Sequence, residues 1–279
     1  MGDLLNRATS PRLPFAWTIN PYRGCEMGCA YCYARYTHGF LDLPGWREFE
    51  TRIFVKRGAA AALRRQLRRR VLQGQPIAIG TVTDPYQPAE SRFRVTRSLL
   101  ELFATASGLH LAITTKSPLV LRDLDLLAEL DRRHHVEVSF SFTTLDPRLA
   151  RSLEPHAPAP RARLAAVERL AAAGLAVNFF CQPLLPGFHE EEKELRPLFE
   201  AARASGARDV VASPLFLASP AKERFFAWLA EERPDLLPRY RQLYGRRARL
   251  ATAAAERLLV PFRRLRLAHG FPRPIPGRA

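Results

Sequence analysis

The stretch N20-P-Y-R-G-C-E-M-G-C-A-Y-C-Y-A-R35 holds three of the chain's four cysteines, Cys25, Cys29 and Cys32. The residues downstream of it set the architecture. Short apolar runs alternate with helical patterns at 76–84, 110–117, 136–144, 175–186 and 207–217, with helices expected near 92–107, 118–132, 160–173 and 189–205. Pro118 stands near a first turn, and Gly108, Gly174 and Gly206 stand just past helix ends, where these residues punctuate helices. A further strand at about 16–22, before the cysteines, completes six strand-then-helix repeats. Such alternation predicts a parallel sheet. Six units fall short of the eight that close a barrel, so the expected fold class is α/β, a partial (β/α)6 TIM-like barrel.

In such sheets the chemistry gathers at the C-terminal ends of the strands. The polar residues ending these runs are Thr83 and Asp84, Thr115 and Lys116, Ser141 and Thr143, and Gln182. The cysteines come just after a strand end as well, which places them at the same mouth.

The chain has 279 residues, of which 47% are hydrophobic and 25% charged, an ordinary globular balance that excludes a disordered chain. No run of about 18 uncharged apolar residues is present, so no membrane span is expected. The opening MGDLLNRATSPRLPFAW lacks a signal-peptide core and a full myristoylation pattern. Three cysteines within eight residues do not make a disulfide framework. A cytoplasmic location is expected. Cys181, inside the apolar run LAVNFFCQPLL, reads as a small buried hydrophobe.

The formal net charge is +16, with four lysines (56, 116, 193, 222) among 43 basic residues. A pI near 10.7 favours polyanionic partners. From residue 219 the pattern changes to helices and a Pro-rich tail, giving an expected division into a core at 1–218 and a helical, Arg-rich C-terminal extension at 219–279. Residues 239–279 contain eleven arginines and one acid, Glu256. These arginines, Arg263, Arg264 and Arg266 among them, read either as a nucleic-acid contact or as solvated helix faces around core aromatics such as Phe225, Phe226 and Trp228. The run LRRQLRRR (63–70) reads the same two ways.

The spacing C-x3-C-x2-C leaves several chemistries open. Structural zinc closes with four ligands, and the nearest histidine, His38, lies six residues past Cys32. Ferredoxin-type clusters need a fourth cysteine nearby. Three thiolates on one tight loop suit a 4Fe–4S cube with one iron left open to a ligand.

With Tyr31 before the last cysteine and a β/α pattern after it, the motif resembles that of the radical S-adenosylmethionine (SAM) superfamily. A narrower resemblance, carried by NPYRGCEMGCAYCYAR, TVTDPYQPAE, ITTKS, SFTTLD, LEPHAPAPRARLAAVERLAAAG and QPLLPGFHEEE, points to the spore photoproduct lyase-like branch. The resemblance implies a 4Fe–4S cluster on Cys25, Cys29 and Cys32. It also implies SAM at the open iron, cleaved reductively to a 5′-deoxyadenosyl radical that abstracts hydrogen from a substrate. That substrate is expected to be a nucleic-acid base or photoproduct, in a DNA repair-like lyase reaction. An external electron donor such as a flavodoxin or ferredoxin is implied too. The alternatives are a radical SAM enzyme for a peptide or small metabolite, and a non-enzymatic iron–sulfur protein.

Site roles come from the same resemblance. Gly24 and Gly28 would let the loop close around the cube, Tyr31 would lie beside adenine, and Tyr33 matches a tyrosine linked to radical relay. Thr83 and Asp84 match positions facing the SAM amino group, Lys116 and Ser141 match polar positions that touch SAM, and Thr143 and Arg163 are further candidates. QPLLPG (182–187) would border adenine. One departure stands out: Thr81 occupies the place where the lyase has a hydrogen-donating cysteine. His110, His134, His135 and His156 read as surface or loop histidines.

Overall fold

The computed structural model describes residues 4–10, 13–68, 72 and 74–272. Arg69, Arg70, Arg273 and Arg278 lie outside the described residues. Nine strands are present among the described residues: β1 (Leu5–Arg7), β2 (Trp17–Ile19), β3 (Tyr22–Arg23), β4 (Phe54–Val55), β5 (Pro76–Ile79), β6 (His110–Thr115), β7 (His135–Ser141), β8 (Ala176–Leu184) and β9 (Asp209–Pro214). Seven form one open sheet in the order β1-β2-β5-β6-β7-β8-β9. Every neighbouring pair from β2 to β9 is parallel, which is the expected six-stranded partial barrel.

The sequence reading missed β1, which adds antiparallel to β2. Three residues carry too little periodicity to announce a strand. Its entry is fixed from outside, because Gln66 Oε1 accepts the backbone N–H groups of Leu4 and Leu5. β3 and β4 form a separate two-stranded ribbon beside the cysteine loop.

Period-two alternation sorts the strand residues onto two faces. Leu111, Ile113, Val136, Val138, Phe140, Val177, Phe179 and Val210 belong to the main core with helix residues such as Leu99, Phe103, Leu127, Val167, Leu170 and Phe199. The opposite parity carries His110, Ala112, Glu137, Ser139, Ser141, Asn178 and Asp209, the polar lining of the open barrel. The helices come where expected, with two refinements. The segment near 92–107 divides into Pro88–Phe93 and Val95–Phe103, and Pro118–Asp123 is a 3₁₀ turn leading into Leu124–Asp131.

Residues past 219 pack on the barrel. Leu258, Phe262, Leu265 and Phe271 lie in the main core. Phe225, Trp228, Leu229, Tyr240 and Tyr244 lie in a second core together with Cys25, Cys29 and Tyr31. Tyr240 and Tyr244 donate to the carbonyls of Pro186 and Leu215, so the C-terminal helices fix loops at the mouth. Among the described residues no helix is long and apolar enough to cross a membrane.

Candidate active site

The cysteine loop is held in place by hydrogen bonds from several directions. Cys25 N–H donates to the Phe49 carbonyl at 2.9 Å, and Ala30 N–H to that of Leu153 at 2.8 Å. Cys32 N–H closes a turn onto Cys29 O at 3.1 Å. From the end of β5, Thr83 Oγ1 and Gln87 Nε2 both donate to Gly24 O, at 2.6 and 3.2 Å. Gln87 Oε1 accepts Glu26 N–H, and the Glu26 carboxylate accepts Ala89 N–H at the start of the helix Pro88–Phe93. Buried Arg35 donates to Cys29 O at 2.6 Å and to Trp46 O at 2.7 Å, and pairs with Glu50.

Gly24 and Gly28 adopt φ of +87° and +68°. A Cβ on Gly24 would meet the carbonyl oxygens of Arg52 and Phe49 within 2.9 Å, and one on Gly28 would meet His156 and Pro155 at 3.0–3.1 Å. These glycines therefore let the loop approach the surrounding protein closely.

The donor set fits a cluster better than a single ion. Cys25 and Cys29 are buried and Cys32 partly exposed, all unpaired. Two thiolates on one zinc lie about 3.8 Å apart. Among the described residues, the three sulfurs do not fall within 4.8 Å of one another, nor does a fourth ligand join them. His38, the remaining zinc ligand, turns its Nε2 to Arg52 O at 2.9 Å and packs on Phe49 and Phe54. Burial raises all three thiols, with Cys29 pushed up to about 12 despite the Lys116 charge beside it. Iron binding at this loop must displace protons.

A buried polar cluster lies beside Cys29. Tyr31 OH donates to Glu154 Oε1, and Thr143 Oγ1 lies 2.8 Å from that phenol and 3.3 Å from the same carboxylate oxygen. Arg163 bonds Glu154 Oε2 and the carbonyls of Ser141 and Pro158, at 3.0 and 2.7 Å. Lys116 Nζ stands 3.5 Å from Glu154 Oε1 and 5.6 Å from the Tyr31 ring centroid. Two cations thus face the Glu154 carboxylate, with the Asp84 carboxyl behind Lys116. The cations and the phenol hold the Glu154 carboxyl below its usual range in spite of burial.

Tyr31, Lys116, Ser141 and Thr143, all expected site residues, thus come together with Cys29. Thr83 and Asp84 act one layer back. Asp84 accepts from Thr115 Oγ1, Tyr86 N–H and Lys116 N–H at 2.7–2.9 Å, so it shapes the end of β6 that carries Lys116. Tyr33 stands apart on the exposed side of the loop. Its phenol donates to the Thr81 carbonyl and its ring meets Phe216 edge-on at 6.3 Å. Cys181 is buried inside β8, as its apolar run suggests.

Sequence reading missed Glu154, Gln87 and Arg35. Glu154 sits inside the LEPHAPAP turn, where nothing local marks it. Gln87 and Arg35 act through backbone carbonyls, which no residue spacing reveals.

Three of the C-terminal arginines are paired within the chain. Arg266 is 5% exposed and pairs with Asp209 at 2.8 Å, Arg263 pairs with Glu256, and Arg239 with Glu190. Arg241, Arg246, Arg247, Arg257 and Arg264 form no ion pair among the described residues, and Arg57, Arg92 and Arg94 are unpaired in the same way. With Phe93, Val95 and Ser98 the latter three line an open cavity of about 450 Å³. The Arg57 and Arg92 guanidinium groups lie 5.3 and 5.2 Å from the Phe93 ring centroid.

Comparison with known proteins agrees with this architecture. The chain is 41% identical over 234 residues to an uncharacterized protein of Mycobacterium tuberculosis, covering 84% of this chain and 68% of that one. It is 30% identical over 176 residues to an uncharacterized protein of Methanocaldococcus jannaschii, covering 63% of each. Spore photoproduct lyase with bound AdoMet and dinucleoside spore photoproduct superposes with a TM-score of 0.70 at 17% identity, covering 95% of this chain and 76% of the lyase. A radical SAM methyltransferase from Sphaerobacter thermophilus superposes at 0.55 with 16% identity, covering 92% and 64%. At those identities the structures speak for the fold. The model of the radical SAM superfamily, whose members use a 4Fe–4S cluster and SAM, matches residues 19–198, and the chain belongs to that superfamily.

Proposed function

We propose that the chain is a radical SAM enzyme acting on a nucleic-acid base or a photoproduct of one, in a lyase-like reaction. The observation that carries this reading is a connection. The helix Pro88–Phe93 starts on the cysteine loop, at the Glu26–Ala89 hydrogen bond, and ends at the cavity walled by Arg57, Arg92 and Arg94. Six helical residues span about 9 Å. A site for phosphates beside an aromatic ring then lies one short helix from the radical chemistry.

Cys25, Cys29 and Cys32 hold the cluster. When bound, the cluster supplies the electron that cleaves SAM to a 5′-deoxyadenosyl radical able to abstract hydrogen. Lys116, the more accessible of the two cations around Glu154, attracts the SAM carboxylate, and Ser141 and Thr143 orient it. Asp84 and Thr83 position Lys116 and the loop. Tyr31 packs beside the nucleoside. Tyr33, on the exposed side and hydrogen-bonded at Thr81, gives its O–H hydrogen atom to the product radical in place of the thiol that Thr81 cannot provide. The tyrosyl radical left behind is reduced by one electron from the external donor and a proton from solvent. A flavodoxin or ferredoxin delivers the electron.

A peptide or small-metabolite substrate is the second reading. It is favoured by the internal pairing of Arg239, Arg263 and Arg266, which leaves less free charge for a duplex. The test is anaerobic incubation of the cluster-loaded chain with SAM and dithionite, with and without irradiated DNA. The reading requires deoxyadenosine formation and a DNA-dependent product. Deoxyadenosine without any DNA-dependent product across irradiated and native DNA favours the second reading.

A further inference from the structure

At the end of the barrel opposite the cysteine loop, three metal-ligating side chains converge. His110 opens β6 and His135 opens β7, and the parallel register pairs them directly. Glu137 comes two residues after His135, so strand periodicity places both on the same face. The ligand atoms of all three lie within 4.8 Å of one another. Ser141 at the mouth lies six residue steps along β7 from His135, about 20 Å of strand. This group is therefore remote from the cluster and from SAM.

One of the two histidines is hydrogen-bonded to the carboxylate and the other is not. Both histidines present Nε2 to one carboxylate oxygen, Glu137 Oε1, at 2.8 Å from His135 and 3.8 Å from His110. The second separation is too long for a hydrogen bond. His110 Nε2 is nonetheless buried, with no hydrogen-bond partner among the described residues. Two ligands at 2.0–2.1 Å from a tetrahedral ion stand about 3.3 Å apart. The observed pair of distances brackets that value. Leaving a buried ring nitrogen unsatisfied is costly, and an ion between the three atoms would satisfy it.

We propose that His110, His135 and Glu137 bind a divalent transition-metal ion that ties β6 to β7 at the base of the barrel. Two imidazoles and one carboxylate suit zinc and its first-row neighbours rather than magnesium or calcium. His135 is the most exposed of the three, at 45% of its side chain, which leaves a water-accessible coordination position on that side. The histidines were expected as plain surface residues; a single strand's sequence does not display a cross-strand register.

Zinc alone serves as the probe, presented by equilibrium dialysis to the full chain with its cluster loaded, so that the cysteine thiols are occupied. One zinc per chain is expected, with its absorption-edge spectrum showing nitrogen and oxygen neighbours and no sulfur. His110→Ala and Glu137→Gln should each weaken zinc uptake at least tenfold while iron content stays at the wild-type level. Zinc uptake unchanged in both variants, a sulfur shell around the zinc, or no uptake by the wild-type chain would each overturn the proposal. The wild-type spectrum decides the matter even if a variant fails to fold.

Discussion

Lys116 Nζ faces Glu154 Oε1 across 3.5 Å, while Arg163 holds the other oxygen of the same carboxylate. The two cations are not equivalent. Arg163 and Glu154 are both nearly fully buried, whereas Lys116 keeps some access to the mouth. Lys116→Ala should leave the Glu154–Arg163 pair, the fold and the iron content intact, and weaken SAM binding at least tenfold in equilibrium dialysis. Glu154→Gln removes the partner of a buried guanidinium, a loss of about 3–5 kcal/mol. Urea unfolding should show that loss, together with reduced iron content. A Glu154→Gln protein as stable as wild type would mean that the pair does not organise the pocket.

Tyr33 and Thr81 define the second prediction. Tyr33→Phe should retain SAM cleavage but lower substrate product formed per deoxyadenosine at least tenfold. Thr81→Cys supplies a thiol on the residue whose carbonyl Tyr33 bonds, and should raise the same ratio in the Tyr33→Phe background. If the ratio is the same in wild type and Tyr33→Phe, Tyr33 is a packing residue only.

The chain's pattern revealed the six parallel strands, the mouth and most of the pocket, because each is written in local periodicity or in a strand's last residue. Lys116 could be found since a lysine ending an apolar strand is conspicuous in a chain with four of them. Glu154 could not, since its meaning comes from Tyr31, more than a hundred residues earlier. The same holds for Arg266, which looked like a surface cation until β9 brought Asp209 to it. Charge counting locates arginines but not their partners.

The pocket border carries a pH dependence. His189 is buried beneath the segment 182–187, where its Nδ1 accepts Leu185 N–H at 2.8 Å. Burial pushes the ring down from 6.5 to about 4, with a backbone contact to Thr143 partly offsetting this. The folded value lies below the unfolded one, so this contribution is intact above pH 6.5 and is lost as pH falls from 6.5 towards 4. The expected loss is about 3 kcal/mol at most. Denaturant unfolding at pH 7.5 and pH 4.5 should show a smaller pH difference for His189→Gln than for wild type. Equal differences would assign the acid sensitivity elsewhere.

Polyanion binding is expected to run through the Phe93 cavity rather than the last helix. Duplex affinity should fall with salt at a slope of roughly 0.9 per phosphate neutralised. Combined Arg57→Gln, Arg92→Gln and Arg94→Gln should reduce that slope by about two to three units, with little change in sequence preference. Replacing Arg263, already paired with Glu256, should change it far less. A slope insensitive to the cavity arginines would remove them from the binding surface.

The most direct test of the radical SAM assignment is EPR of the anaerobically prepared, dithionite-reduced chain with and without SAM, alongside iron and sulfide analysis. One 4Fe–4S cluster should be present, its spectrum should shift on adding SAM, and deoxyadenosine should accumulate. Cys25→Ala, Cys29→Ala and Cys32→Ala should each abolish the signal, while Cys181→Ala leaves it unchanged. A cluster that survives the loss of Cys29, or a spectrum unaltered by SAM with no deoxyadenosine formed, would contradict the account.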